Sequence, residues 1–243
     1  MIEQAHLPKA ARKPFRRYKR EQAWLSRQIL YPVTAFYTLY SIVMFYAAGR
    51  SQHPYIAIAF YVAALPIWTY LEYLAHRFIL HGTFRKSKHS WKVYKTLANK
   101  FLDPLHWEHH ARPWDGEHIN GRIMDTLPFS IALVALAGFF PLWSMPVLMA
   151  GLLQSYVVEE WVHHSVHFYH FDNPYFRYIK RHHLYHHSPK GGDVGYGLTN
   201  GLWDIIFSTR ISAEQRRLLY GQGKAEGHLL GQRQAGAGPL STA

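Results

Sequence analysis

Four groups of histidine carry the chemistry that this chain can perform. Residues 181–187 read RHHLYHH, with four histidines in seven residues. The spacing HX2HH occurs there and again at 106–110, HX3H occurs at 163–167, and HX4H occurs at 76–81. Because residues three and four apart share one face of a helix, the HX2HH and HX3H groups can each converge on one ion. The candidate metal ligands are His76, His81, His106, His109, His110, His163, His167, His183, His186 and His187.

The pair His76 and His81 is the exception to helical spacing. Five residues correspond to about 140° around an ideal helix, so the two rings would point in different directions. Both can face one site only if the helix ends or distorts between them. Gly82 follows directly, which is consistent with an end at this point.

Ten histidines are too many for one ion, because zinc in proteins takes about four ligands and an octahedral ion about six. Two ions with about five histidines each fit the number. Imidazole binds iron, zinc, copper and nickel alike, so the ligands do not identify the metal. A zinc protease is not expected, because HWEHH at 106–110 lacks the HEXXH order.

Amino-acid composition narrows the classes of protein and of metal site that remain possible. The 243 residues include 18 histidines and no cysteine, which excludes disulfides, thiolate zinc sites and iron–sulfur clusters. The net charge is +12, with 27 Lys and Arg against 15 Asp and Glu. These charges flank apolar segments and form no single recognition element, so nucleic-acid binding is not expected.

The elements that must position the histidines are apolar helices. Uncharged runs at 29–48 and 54–71 are long enough to cross a bilayer. The 33 uncharged residues between Asp125 and Glu159 would form a single helix of about 50 Å, which is too long for one span. Pro141 and Pro146 divide them into about 127–142 and 145–162. We therefore predict an all-α integral membrane protein with about four transmembrane helices in two hairpins and a cytosolic, helical, histidine-rich cap.

Charge placement orients this arrangement. Of the 27 Lys and Arg, 26 lie on the side that carries all four histidine groups, and this side is therefore predicted to be cytoplasmic. We divide the chain into a basic cytosolic arm at 1–28, partly disordered or interfacial, a membrane domain at 29–219, and a flexible tail at 220–243. The arm does not have the pattern of a secretory signal.

The other histidines and the nearby acids have supporting roles in this interpretation. His164, His170 and His182 lie off the ligand spacing and are expected beside the ligands or on the surface. An acid that accepts a ligand N–H would fix the tautomer of that ligand, although each acid could instead pair with an Arg or Lys. The candidate acids are Glu72, Glu108, Asp115, Glu159, Glu160 and Asp204. Plain surface or capping roles are expected for His6, His53, His89, His118 and His228.

The histidine segments resemble those of the fatty acid hydroxylase superfamily, the membrane di-iron family that includes sterol desaturases and carotene hydroxylases. The similarity is greatest to the fatty acid 2-hydroxylases. Its residues are WTYLEYLAHRFILHG at 68–82, HWEHHARPWDG at 106–116, YVVEEWVHHSVH at 156–167 and YIKRHHLYHHSPKGGDVGYGLTNGLWDIIFST at 178–209. All ten histidines match metal-ligand positions of that subfamily. The resemblance implies two iron ions, for which zinc can substitute in purified protein, and O2 as co-substrate.

The resemblance further implies hydroxylation of a lipid acyl chain from the bilayer, next to its carboxyl or amide carbon. Electrons would come from a separate protein, either cytochrome b5-like or a ferredoxin with its reductase. Glu160 stands where those enzymes tend to have Asp, and it is a candidate catalytic residue beside the ligands or in the substrate pocket. The expected location is a bacterial inner membrane, or the endoplasmic reticulum if the source is eukaryotic.

Two alternatives remain open. The first is a sterol or carotenoid hydroxylase or desaturase of the same superfamily. The second is a metal-binding membrane protein without catalysis, such as a transporter or a metal store. A transporter is expected to carry polar or ionisable residues within its spans, and these spans are nearly free of them.

Overall fold

Helices form wherever the apolar runs were found in the sequence. The structure is a computed structural model that describes residues 9–82 and 103–221, and within these ranges the chain is helical with no β-strand. The predicted all-α class is confirmed. The helices are α1 (Lys9–Gly49), α2 (Pro54–Leu74), a π-helix (Ala75–Leu80), α3 (Asp103–Ala111), α4 (Ile123–Ala137), α5 (Met145–Phe168), α6 (Pro174–His186), α7 (Leu202–Ile206) and α8 (Ala213–Gly221).

Two compact units make up the chain. The larger unit is Gln22–His164, and the smaller unit contains the described residues of Met1–Glu21 and Ser165–Ala243. These boundaries differ from the predicted divisions after residues 28 and 219. Residues 9–28 of the predicted basic arm belong to α1 and are helical. Residues 1–8, most of the predicted tail and three histidines (His6, His89 and His228) lie outside the described residues.

The first predicted membrane hairpin corresponds to two long apolar helices. Among the described residues, the helical stretches Ala10–Gly49 and Pro54–Leu80 are long and apolar enough to cross a membrane. Large apolar side chains are exposed along both, including Leu39 and Tyr46 on α1 and Leu65 on α2. At about 1.5 Å per residue, the 15 residues of the apolar helix α4 extend about 22 Å, which is less than the roughly 30 Å of a bilayer core.

The larger unit packs α1, α4 and α5 around a small aromatic core. Val33 and Tyr37 of α1 meet Leu153 and Val157 of α5, and all four side chains are buried. The buried Tyr37 hydroxyl lies 3.0 Å from the Ser130 hydroxyl on α4, which satisfies both polar groups.

Gly151 allows α5 to approach α2 closely. A Cβ atom at this position would lie 2.6 Å from the Cβ of Ala64 and 2.7 Å from the backbone oxygen of Tyr61. Only glycine leaves room for this contact. The contact holds α5 against α2, the helix that leads to His76.

In the smaller unit, Asn173 and Pro174 form the start of α6. The Asn173 side chain accepts hydrogen bonds from the backbone N–H groups of Tyr175 and Phe176, and Pro174 occupies the first turn. Tyr185 on this helix packs with Ile211 and Leu219 in a buried apolar cluster. This packing supports the last turn of α6, which carries His183 and His186 and is followed directly by His187.

Candidate metal centre

A π-helical turn resolves the unusual spacing of His76 and His81. The backbone N–H of His81 donates to the carbonyl oxygen of His76, five residues earlier, at 3.0 Å. A π-helix has more residues per turn than an α-helix, so residues five apart come to lie on nearly the same face. The two imidazole centroids are 5.0 Å apart. The prediction that the helix distorts or ends between these histidines is confirmed, because it does both.

Four histidines of the larger unit converge on one point. The ligand nitrogens of His76, His81, His106 and His110 all lie within 4.8 Å of one another. The α-helical spacing of α3 brings His106 and His110 together, with ring centroids 4.6 Å apart. The π-helix supplies the ring of His76, and His81 follows directly at its end. These distances suit a single ion held by imidazole nitrogens.

His109 points to a different partner in the same unit. Its Nε2 lies 3.0 Å from Nε2 of His163 on α5, and both side chains are buried. Two imidazole nitrogens at this distance either share one hydrogen or face a common cation. The group at 106–110 thus divides, with His109 apart from His106 and His110.

The smaller unit holds a second convergence. Nε2 of His183 lies 2.8 Å from Nε2 of His167 and 3.0 Å from Nε2 of His187. A single hydrogen on His183 can serve only one of these two neighbours, so three converging nitrogens favour a cation between them.

His186 is oriented by the backbone. Its Nδ1 lies 2.8 Å from the carbonyl oxygen of Val194, and because a carbonyl can only accept, Nδ1 carries the hydrogen. In the neutral ring this leaves Nε2 with a lone pair, the form that binds a metal. A backbone carbonyl thus fixes the tautomer of this histidine, a role for which the sequence offered only acids as candidates.

Burial lowers the pKa of several of these imidazoles and so favours their neutral form. Burial and the neighbouring His76 lower the pKa of His81 to about 3. Burial, followed by the surrounding histidines, also lowers the pKa values of His106 and His109 well below the usual range. A metal ligand must be deprotonated, so this environment favours a metal over a proton.

The histidines off the ligand spacing have other partners. Nδ1 of His164 lies 2.8 Å from the Ser26 hydroxyl, and Nε2 of His182 lies 3.2 Å from Oδ2 of Asp204. His170 is exposed. Two histidines predicted to be surface or capping residues lie in the described chain, where His118 contacts Asp115 and His53 contacts the Trp143 ring.

Glu160 belongs to a buried polar network that the sequence analysis did not identify. The Asn120 amide donates to Oε2 of Glu160 at 2.6 Å and to the Glu160 backbone oxygen at 3.0 Å. The Ser26 hydroxyl donates in turn to Oδ1 of Asn120 at 2.5 Å. A lone Ser and Asn carry no motif, so only packing identifies them. The network fastens the turn of α5 that precedes His163.

The other candidate acids occupy different environments. Arg112 pairs with the exposed Glu108 at 2.8 Å and with Asp115 at 3.0 Å, which is the alternative that the sequence left open for both. The Trp68 indole N–H donates to Oε2 of Glu159 at 2.8 Å. Glu72 and Asp204 are buried.

The donor set fits a metal ion. In both units the converging atoms are imidazole nitrogens, which suit iron, zinc, copper or nickel, and all of these residues except the half-buried His81 are buried. Nε2 of His106 is buried and has no hydrogen-bond partner among the described residues, as expected for a nitrogen whose partner is a cation. The histidine clusters can therefore bind metal.

Comparisons with known proteins agree with this chemistry. The family model described as fatty acid hydroxylase matches residues 61–209. Dihydroceramide fatty acyl 2-hydroxylase FAH2 of Arabidopsis thaliana is 33% identical over 152 residues, which cover 58% of this chain and 56% of that protein. Fatty acid 2-hydroxylase of Rattus norvegicus is 30% identical over 167 residues, covering 65% of this chain and 41% of that protein.

A solved structure shares the fold. Full-length scs7p, of which only the hydroxylase domain is visible, has a TM-score of 0.59 and 25% identity, covering 75% of this chain and 67% of that one. The chain spans just over half the length of the Arabidopsis thaliana protein and less than half of the rat protein. The family model matches more than half of the 243 residues, and the chain therefore belongs to the fatty acid hydroxylase family.

Proposed function

We propose that this protein is a membrane-bound di-iron oxygenase that hydroxylates a lipid acyl chain next to its carboxyl or amide carbon. The observation that carries the proposal is the convergence of mostly buried imidazoles in a chain of this family. The relatives named above are 2-hydroxylases of fatty acids and of dihydroceramide acyl chains, which supports both the substrate class and the position.

The ten histidines of the four sequence groups are the proposed ligands of two iron ions. Bound iron would supply the activation of O2, which amino-acid side chains do not provide. The chain supplies ligand orientation, as in the hydrogen bond from His186 to the Val194 carbonyl. Glu160 is proposed to position the ligands through Asn120, because its carboxylate holds the Asn120 amide beside α5.

The bilayer supplies the substrate in this proposal. We propose that α4 and α5 form the second membrane hairpin beside α1 and α2, with the histidines at the cytoplasmic face. An acyl chain has no polar handle near the reacting carbon, so an apolar surface must position it. The exposed apolar side chains of α1, α2 and α4 provide such a surface.

Electrons are proposed to come from a separate protein, either cytochrome b5-like or a ferredoxin with its reductase. The proposed membrane is a bacterial inner membrane, or the endoplasmic reticulum if the source is eukaryotic.

Lipid analysis tests the reaction. Lipids from cells that express the wild-type protein should contain a product heavier by one oxygen. The product should disappear in His109→Ala and His186→Ala, while His170→Ala, which removes an exposed histidine outside the ligand groups, should retain it. A product lighter by two hydrogens would indicate a desaturase instead.

Metal analysis tests the centre independently. The purified wild-type protein should contain about two metal ions per chain, and each of the two ligand variants should contain fewer. A firm value of one ion in the wild type would contradict the dinuclear centre. Unchanged metal content in both variants would remove His109 and His186 from the ligand set.

A further inference from the structure

A basic cleft lies on the smaller unit, outside the histidine groups. It is open, has a volume of about 640 Å³, and is lined by residues of α6, of α8 and of the segment that leads into α8. Its polar lining is Tyr178, His182, Arg210, Arg216 and Arg217. Neither Asp nor Glu is among the lining residues.

The three arginines of this cleft have positive charge without a matching acid. Among the described residues, none of their guanidinium groups has a carboxylate or hydrogen-bond partner, and Nε of Arg216 is buried without an acceptor. The buried acid Asp204 is already engaged by His182, which lines the cleft. Buried donors are normally satisfied, so the unpaired Nε of Arg216, beside the exposed guanidiniums of Arg210 and Arg217, points to an anion that approaches from outside the chain.

We propose that this cleft binds the phosphate group of a phosphate-bearing ligand. Planar guanidiniums donate pairs of hydrogen bonds that match phosphate oxygens, and three of them around one cleft favour a multiply charged anion over a single carboxylate. The cleft volume exceeds that of a phosphate alone, which leaves room for the group that carries it.

The neighbouring helix favours a lipid as that carrier. The start of α7 lies against the cleft, because a Cβ on Gly201 would meet the Tyr178 hydroxyl. The apolar side chains of Leu202, Ile205 and Ile206 on α7 are all more than half exposed. Apolar side chains beside arginines are typical of a surface that rests on anionic lipid.

Binding measurements test the site and distinguish the two possible sources of phosphate. Purified, metal-loaded protein in a neutral detergent is titrated with short-chain phosphatidic acid, with the diacylglycerol of equal chain length, and with inorganic phosphate. Phosphatidic acid should bind and diacylglycerol should not. Binding of inorganic phosphate without phosphatidic acid would support the site and assign a soluble ligand. Binding of neither phosphate probe would overturn the proposal.

Charge-matched variants locate the binding. The double variant Arg210→Gln/Arg217→Gln removes two exposed guanidiniums and should weaken binding at least about tenfold. The control Arg177→Gln/Lys190→Gln removes two exposed charges of the same unit outside the cleft and should bind as the wild type does. Equal weakening in both would overturn the proposal. Unchanged metal content shows that each variant is folded, and Arg217→Gln alone should give a smaller loss in the same direction.

Discussion

Asp204 holds together the segment that orients His186, and replacing it with Asn should weaken both the fold and metal binding. Its fully buried carboxylate accepts from the backbone N–H groups of Tyr196 and Gly197 at 2.9 Å and from the Thr209 hydroxyl at 2.7 Å. His182 approaches the same carboxylate at 3.2 Å. Burial by itself raises the pKa of Asp204, but hydrogen bonding to His182 and these neighbours outweighs it and lowers the pKa.

The expected loss of stability in Asp204→Asn follows from the contacts of the two carboxylate oxygens. Oδ1 accepts from Tyr196 and Oδ2 from Gly197, so in either orientation the Asn side-chain NH2 would face one backbone N–H and leave it without an acceptor. An orphaned buried donor costs about 1–3 kcal/mol, and the remaining bonds lose their charge assistance. We therefore expect about 2–5 kcal/mol of destabilisation. At about 2–4 °C per kcal/mol, Tm should fall by about 4–20 °C.

Metal binding should weaken together with the fold in Asp204→Asn. The Val194 carbonyl that accepts from His186 lies only two residues before Tyr196, so loosening this segment should release the ring of this proposed ligand. Loss of such a support typically weakens metal binding by about 10–100-fold. Tm in detergent and metal retention against a competing chelator measure the two effects.

Asp193→Asn is the matched control, because it makes the same chemical change at an exposed position one residue before Val194. It should leave both quantities unchanged. A Tm for Asp204→Asn within about 2 °C of the wild type, with normal metal retention, would refute this account of the segment.

Three further predictions concern packing, the buried network and pH. Gly151→Val should destabilise the protein by about 1–3 kcal/mol, because the valine side chain would overpack the contact between α2 and α5. The control Gly49→Val should have little effect on Tm, because there is open space around Gly49. Asn120→Leu should lower Tm by removing the hydrogen-bond donor that satisfies the buried Glu160 carboxylate, and normal stability would contradict the proposed role of that network. The Tm of chelator-treated protein should fall as pH decreases below about 6.5. In this range His81 takes up a proton in the unfolded chain but not in the folded chain, where its pKa is about 3, so protonation favours the unfolded chain. A Tm that is constant or rises over this range would contradict that assignment.

The candidate ligands could be predicted from the sequence because helical spacing is a local property. His106 and His110 are four residues apart on α3, and their rings meet as the spacing predicted. The all-α class followed equally from long uncharged runs, since a chain in a membrane must satisfy its backbone groups internally. The residue pattern also pointed to the fatty acid hydroxylase family, which the match over 61–209 confirms.

The supporting residues could not be predicted, because their partners are distant in the chain. Ser26 and Asn120 are separated by 94 residues and form one hydrogen bond. Asp204 was a candidate partner of a ligand histidine, but packing pairs it with His182. Short polar residues fit many environments, and only the tertiary arrangement selects one.

The histidines show the same division between local and tertiary information. Residue type and spacing by themselves predicted that imidazole groups would form clusters able to bind metal, and that His76 and His81 required a distorted helix. Tertiary structure decided that the distortion is a π-turn, that His109 turns from its own group toward His163, and that a backbone carbonyl orients His186. The physical reason is that helix periodicity fixes which side chains share a face, whereas packing between distant segments decides what that face meets.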